Sequence, residues 1–198
     1  MVLVRHGETV PNRRGLLLGR ADPPLTEEGR RQAAQLADAL RGLRPAAVVA
    51  SPLARARATA EPIAAAAGRA VRIDDRLVEI NYGEWEGRPF AELPPDVVTR
   101  WRADPGFAPP GGESLRDVGH RVAGFCAETL GGRGEEDEEV VVAVSHVSPI
   151  KGAVAWALGA GDELAWRMRL DVASVTRIGR GPVLLAFNET RQLGQLRS

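Results

Sequence analysis

The run Met1-Val2-Leu3-Val4-Arg5-His6-Gly7-Glu8 carries an apolar strand straight into an arginine, a histidine and a glycine. A second apolar run, Val140-Val141-Val142-Ala143-Val144-Ser145, ends in the same way, on His146. Open α/β sheets bind their ligands at the ends of strands, so two of the chain's three histidines stand where chemistry is done. Imidazole titrates near neutrality, which suits it to nucleophilic work, and the guanidinium of Arg5 adds a fork for anions. Taken singly, either histidine reads as a hydrogen-bonded structural residue. The pair, with the arginine beside the first, reads as a site.

Those strand ends need a sheet to hold them. Short apolar or β-branched runs bounded by turn residues predict strands at Val2 to Val4, Ala46 to Ala50, Val71 to Ile73, Val140 to Val144, Ser174 to Ile178 and Val183 to Phe187. The last two are expected to form a hairpin through Gly179-Arg180-Gly181-Pro182. Helices are predicted over Glu27 to Leu43, Leu53 to Ala67, Leu115 to Leu130 and Ile150 to Leu158. Thr26 can cap the first of these, with Glu27 and Glu28 at its positive end. Ser51-Pro52 and Ser148-Pro149 each place a capping serine before a proline, and Ser114-Leu115-Arg116-Asp117 reads as a capping box with Asp in place of Glu. The alternation of β and α implies a three-layer α/β/α sandwich with a mostly parallel central sheet. Residues 81–112, rich in Pro, Gly and Trp with at most a short helix from Asp96 to Trp101, interrupt the alternation. They read as a lid-like excursion over the C-terminal edge of the sheet.

Composition narrows the function. A chain of 198 residues with 44% hydrophobic content suits one domain, residues 1–198. Lys and Arg total 26 and balance 26 Asp and Glu, so no overall field draws the protein to nucleic acid or to an anionic membrane. The single Cys126 excludes an internal disulfide framework or a Cys-rich zinc site and reads as core. No apolar run spans a bilayer, and a strand beginning at Met1 leaves no room for a cleavable signal, which makes the cytoplasm the expected compartment. The run Glu135 to Glu139 after Gly131-Gly132-Arg133-Gly134 reads as a solvated loop.

Arg5-His6-Gly7-Glu8-Thr9 with Asn12 resembles the signature of the histidine phosphatase superfamily, the branch that holds cofactor-dependent phosphoglycerate mutases and many small-molecule phosphatases. The resemblance continues through Gly19-Arg20-Ala21-Asp22-Pro23-Pro24-Leu25-Thr26, Ser51-Pro52-Leu53-Ala54-Arg55-Ala56-Arg57-Ala58-Thr59-Ala60 and Glu79-Ile80-Asn81-Tyr82-Gly83-Glu84-Trp85-Glu86-Gly87. Pro110-Gly111-Gly112-Glu113-Ser114 and Val144-Ser145-His146 complete the set in family order. It implies a phosphoglycerate mutase-like fold with His6 as nucleophile and phosphohistidine as intermediate. Splitting hydrolysis into transfer to His and transfer to water divides one hard step into two. Arg5, Arg55 and a protonated His146 are then assigned to the phosphate, matching charge spread over three equatorial oxygens. Asn12, Gly19, Arg20 and Val147 are expected to contribute phosphate or substrate contacts, Val147 through its backbone N–H.

Glu79 is the candidate acid and base for the bridging oxygen and the water, with Glu84, Glu86 and Glu8 as its competitors. Glu8 reads as structural, Arg57 as a surface residue and His120 as an exposed helix residue, while Lys151 could face the site. Two positions depart from the common pattern. Val78 stands where many relatives carry arginine, and Val147 where glycine is commonest. The second departure weakens a mutase reading, as does a lid region whose only basic candidates are Arg88, Arg100 and Arg102. The sequence therefore predicts a metal-independent phosphatase of small phosphomonoesters, with no cofactor and no nucleic-acid or membrane partner. A phosphoglycerate mutase is the alternative and a non-catalytic phospholigand-binding module a further one. A metallohydrolase is disfavoured because Arg5 would repel a divalent cation. Neither the substrate nor the oligomeric state is specified.

Overall fold

The computed structural model describes residues 1–131 and 139–191. Six strands form one sheet: β1 (Val2–Arg5), β2 (Ala47–Ala50), β3 (Val71–Ile73), β4 (Val141–Ser145), β5 (Val175–Gly179) and β6 (Val183–Glu189). Their spatial order is β3-β2-β4-β1-β5-β6. The first four run parallel, and the expected β5–β6 hairpin joins them antiparallel along β1. Among the described residues the α-helices are α1 (Val10–Arg14), α2 (Glu27–Leu40), α3 (Ala54–Ala66), α4 (Pro95–Ala103), α5 (Leu115–Gly131) and α6 (Val147–Ala157), of which α2, α3, α5 and α6 cover the sheet.

The central strands β1, β2 and β4 are almost wholly apolar because both faces of the sheet are covered there, and their period of two sorts residues to opposite cores. Leu3, Val49, Val141 and Ala143 pack against Val118, Val122, Phe125 and Ile150 of α5 and α6. Val2, Val4, Val48, Val142 and Val144 pack against Leu36, Ala60 and Ile63 of α2 and α3. Cys126 lies in the first core, and burial pushes its thiol up to about 12. The excursion at 81–112 carries a third, aromatic core in which Leu17, Trp85, Leu93 and Trp101 meet Tyr82, Phe90 and Trp166.

Two of the expected helix starts are displaced. The hydroxyl of Ser51 does not cap α3, whose N-cap position is Leu53; both carboxylate oxygens of Asp22, far back in the chain, accept the Ala54 N–H at 2.8 and 2.9 Å. Ser148-Pro149 lies inside the first turn of α6, which begins at Val147 with His146 as N-cap, not at Ile150. The Thr26 cap and the Ser114–Asp117 box form as expected. Val10–Arg14 forms a short helix that the sequence pattern did not mark. The expected acidic loop falls at 132–138, outside the described residues. No helix among the described residues is long and apolar enough to cross a membrane.

Candidate active site

Parallel register brings the histidines together. Arg5 of β1 lies opposite Ser145 of β4, so the residues that follow, His6 and His146, emerge side by side. The His6 N–H donates to Ser145 O at 3.0 Å and the Ser51 N–H to Val144 O at 3.0 Å, extending the ladder by one step on each side of β4. His6, His146 and Ser51 thus form a row across three neighbouring strand ends. The two imidazole centroids are 5.0 Å apart.

His6 is held by its own loop. Its Nδ1 lies 2.7 Å from the Gly7 carbonyl, which can only accept, so the proton sits on Nδ1 and the lone pair on Nε2. Gly7 admits no side chain: a Cβ there would lie 2.4 Å from Gly29 O, in the first turn of α2. The Gly7 N–H donates to Thr59 Oγ1 at 3.0 Å, tying the loop to α3. Burial, followed by the charges of Arg5 and Arg55, holds the His6 pKa well below the usual histidine range. The imidazole is a neutral base with an open nitrogen.

Two guanidinium groups act on it electrostatically, that of Arg55 buried and that of Arg5 half-buried. Arg5 Nη1 donates to Leu170 O at 2.6 Å. Arg55, 0% exposed, donates from Nη1 to Ala21 O and from Nη2 to Gly19 O, each at 2.7 Å. These acceptors are neutral carbonyls; the carboxylate oxygen Asp22 Oδ1 is 3.7 Å from Arg55 Nη1. Burial lowers the Arg5 pKa to about 10 against the opposing pull of Glu79 and Asp171, and it lowers that of Arg55 as well. Arg5 Nε and Arg55 Nε are buried without a hydrogen-bond partner.

His146 completes the cluster in an unexpected state. Its Nε2 lies 2.8 Å from Ser51 Oγ, and its buried Nδ1 has no partner. Burial first, then His6, Arg55 and Arg5, push its pKa well below the usual range, so the ring is neutral rather than protonated. A neutral ring still donates from one nitrogen, and the Ser51 hydroxyl fixes what the other does.

Glu79 lies across the start of α6. Its Oε1 accepts the Ile80 and Ser148 N–H groups at 2.8 and 3.1 Å, and Oε2 accepts that of Val147 at 3.0 Å. The Val147 N–H expected at the phosphate is therefore committed to Glu79, a consequence of α6 starting three residues earlier than its sequence pattern suggested. The segment leading to Glu79 is anchored by Ser145 Oγ, which donates to Leu77 O at 2.6 Å.

The remaining expected residues separate into wall and rim. Asn12 Oδ1 accepts from the Thr9 N–H at 3.1 Å and the Thr9 hydroxyl at 2.8 Å, which leaves its amide nitrogen as the donor. The Gly19 and Arg20 N–H groups donate to Glu86 at 2.8 and 3.0 Å, and Arg20 reaches Glu113 at 3.3 Å. Gly19 must be glycine, since a Cβ would lie 2.4 Å from Ile80 O. Glu86 is thus a buttress for the Gly19 turn, Glu84 is exposed, and Glu8 accepts from Thr26 Oγ1 at 2.8 Å. Arg57 and His120 are exposed, as the sequence suggested. Ser51, Ser145, Asp22 and Glu86 are the functional supports that sequence reasoning missed; the only signal was a serine at each of two strand ends. Among the described residues, no three or more His, Cys, Asp or Glu side chains are grouped to hold a metal ion.

The buried imidazoles make stability depend on pH. Below about pH 6.5 the unfolded chain binds protons that the folded chain does not, so stability is lost as pH falls through that value. The melting temperature should drop between about pH 7 and pH 5 and drop less steeply in His146→Gln. An equal slope in that variant would show that His146 does not carry the effect.

The mixed α/β sheet sets His6, His146 and Arg5 at its parallel strand ends, with the buried Arg55 in the first turn of α3. The chain belongs to the histidine phosphatase superfamily, branch 1, which residues 1–190 match. It is 36% identical over 202 residues to phosphoserine phosphatase 1 of Hydrogenobacter thermophilus, covering 98% of this chain and 94% of that protein. A bifunctional protein of Mycobacterium tuberculosis is 42% identical over 180 residues, covering 89% of this chain; the chain spans only 49% of that relative's length. The structure of a mycobacterial glucosyl-3-phosphoglycerate phosphatase in complex with VO3 superimposes with a TM-score of 0.81 at 34% identity, covering 89% of this chain and 88% of the other.

Proposed function

We propose that this chain is a phosphomonoesterase that passes the phosphoryl group of a small substrate to His6 and then to water, with no metal ion or cofactor. The observation that carries the reading is the set of buried, unpartnered nitrogens, Arg5 Nε, Arg55 Nε and His146 Nδ1, around a neutral His6. Guanidinium groups with buried nitrogens and no directly bonded carboxylate call for an anion to offset their desolvation. Relatives named as a phosphoserine phosphatase and a glucosyl-3-phosphoglycerate phosphatase support the same reaction class.

In the first step His6 Nε2 attacks phosphorus and the bond to the bridging oxygen breaks, while Glu79 gives that oxygen a proton. Oε2 suits the task, because it accepts one backbone N–H where Oε1 accepts two. In the second step water attacks phosphorus, its proton returns to Glu79, and the N–P bond breaks to restore neutral His6. Arg5, Arg55 and the His146 Nδ1 hold the equatorial oxygens throughout, with Asn12 contributing its amide N–H. Gly19 and Arg20 shape the wall through Glu86. The compartment in this reading is the cytoplasm.

Hydrolysis of p-nitrophenyl phosphate should survive exhaustive dialysis against a chelator; loss of activity restored by one particular divalent ion would transfer the assignment to a metallohydrolase. With 3-phosphoglycerate and a bisphosphate primer, the product should be inorganic phosphate and not the isomeric phosphoglycerate. Two of the three lid arginines that a mutase reading would use instead lie over aromatic rings, Arg100 at 4.9 Å from the Phe107 centroid and Arg102 at 5.5 Å from that of Trp166.

A further inference from the structure

Next to Glu79, a cavity of about 90 Å³ opens between α6 and the aromatic excursion. Val147 and Ser148, whose N–H groups hold Glu79, form part of its wall, and so does Ile80 next in chain to Glu79. If Glu79 protonates the bridging oxygen, this is where the departing alcohol lies.

The chemistry of the walls is lopsided. Phe90, Trp101, Trp166 and Tyr82 supply flat apolar surface, and no carboxylate lines the space. Its polar atoms are mostly donors. Trp101 Nε1 and Trp166 Nε1 are both buried with no hydrogen-bond partner among the described residues, and Trp101 is only 2% exposed. An indole nitrogen cannot accept, so each has a proton to place. Lys151 Nζ carries three protons and donates one to Ala165 O at 2.8 Å. Burial lowers the Lys151 pKa against the opposing pull of Glu79, and Arg5 lowers it further. A buried donor left unpaired forfeits its hydration without compensation, and a ligand that supplies acceptors restores a partner.

We propose that this cavity selects phosphomonoesters whose leaving group combines a flat apolar body with a carboxylate, the carboxylate pairing with Lys151 and the indole N–H groups. The inference rests on the phosphatase reading and deepens it: the histidine and arginine cluster sets the reaction, and Lys151 with the two tryptophans sets the substrate.

Benzyl phosphate, 4-carboxybenzyl phosphate and 4-(aminomethyl)benzyl phosphate test it, because the ring substituent is too far from the bridging oxygen to change its basicity much. The wild-type kcat/KM for the carboxybenzyl ester should exceed that for benzyl phosphate by about tenfold or more, since a charged hydrogen bond of this kind is worth a factor of that size. The aminomethyl ester should fall below both. In Lys151→Met the ratio of carboxybenzyl to benzyl efficiency should collapse to about one, and Lys151→Arg should keep it above one. Each ratio is read within one protein, so partial loss of folded enzyme does not alter it. Equal wild-type efficiencies, or a ratio untouched by Lys151→Met, would overturn the proposal while leaving the phosphatase standing. Turnover of p-nitrophenyl phosphate with none of the benzyl esters would overturn it too. Failure to hydrolyse any phosphomonoester would instead remove the phosphatase reading and this proposal with it.

Discussion

His6→Ala is expected to lower phosphatase turnover by on the order of 10⁴-fold or more, the scale seen when a covalent nucleophile is removed. The same variant should fail to form an acid-labile, base-stable phosphoryl adduct that acid-quenched wild type shows during turnover. The reason lies in one hydrogen bond. The Gly7 carbonyl keeps the proton on Nδ1, and burial beside Arg5 and Arg55 keeps the ring neutral, so Nε2 keeps its lone pair across the neutral range. The acid limb of kcat/KM should therefore lie below the ordinary histidine pKa. An adduct on another residue, or none under conditions that trap the intermediate, would dismiss His6 as the nucleophile.

The second large effect separates proton transfer from charge stabilisation. Glu79→Gln should depress turnover of alkyl phosphomonoesters by about 10²- to 10³-fold and that of p-nitrophenyl phosphate by less than about tenfold, because the aryl leaving group hardly needs a proton. Arg55→Ala should depress both esters by about 10²- to 10³-fold, since it withdraws charge from the transferring group whatever departs. Both variants disturb structure as well. Glutamine offers one acceptor where the α6 N-terminus presents donors to two oxygens, and loss of Arg55 frees the Gly19 and Ala21 carbonyls. The contrast between ester types is insensitive to that common loss. If Glu79→Gln acts equally on both esters, Glu79 is not the leaving-group acid. Glu86 is then a poor successor, since both its oxygens are held by the Gly19 and Arg20 N–H groups.

These two sites also explain why a serine at a strand end matters. Ser51 and Ser145 carry no chemistry of their own, yet one sets the hydrogen bonding of His146 and the other ties the Leu77 segment to the sheet. Each acts through a neighbouring strand end, so its role exists only once β1, β4 and β2 are side by side.

The sequence by itself determined the elements and the order of the chemistry along them. Apolar runs with turn residues at their ends located the six strands to within about two residues; the central β1, β2 and β4 are buried on both faces and so read as near-continuous apolar runs. Caps whose partners lie three residues away, Thr26 with Gly29 and Ser114 with Asp117, were legible for the same local reason. The motif series pointed to His6, Arg5, Arg55, Glu79 and His146 as one constellation. The tertiary structure decided what those residues can donate and accept. Asp22 rather than Ser51 takes the first N–H of α3, Glu79 rather than phosphate holds the Val147 N–H, and Glu86 holds those of Gly19 and Arg20. His146 is neutral because burial and three neighbouring groups outweigh its intrinsic basicity. Hydrogen-bond partners and proton affinities depend on which atoms arrive from distant parts of the chain and on how much water they exclude, and neither quantity is written in local spacing.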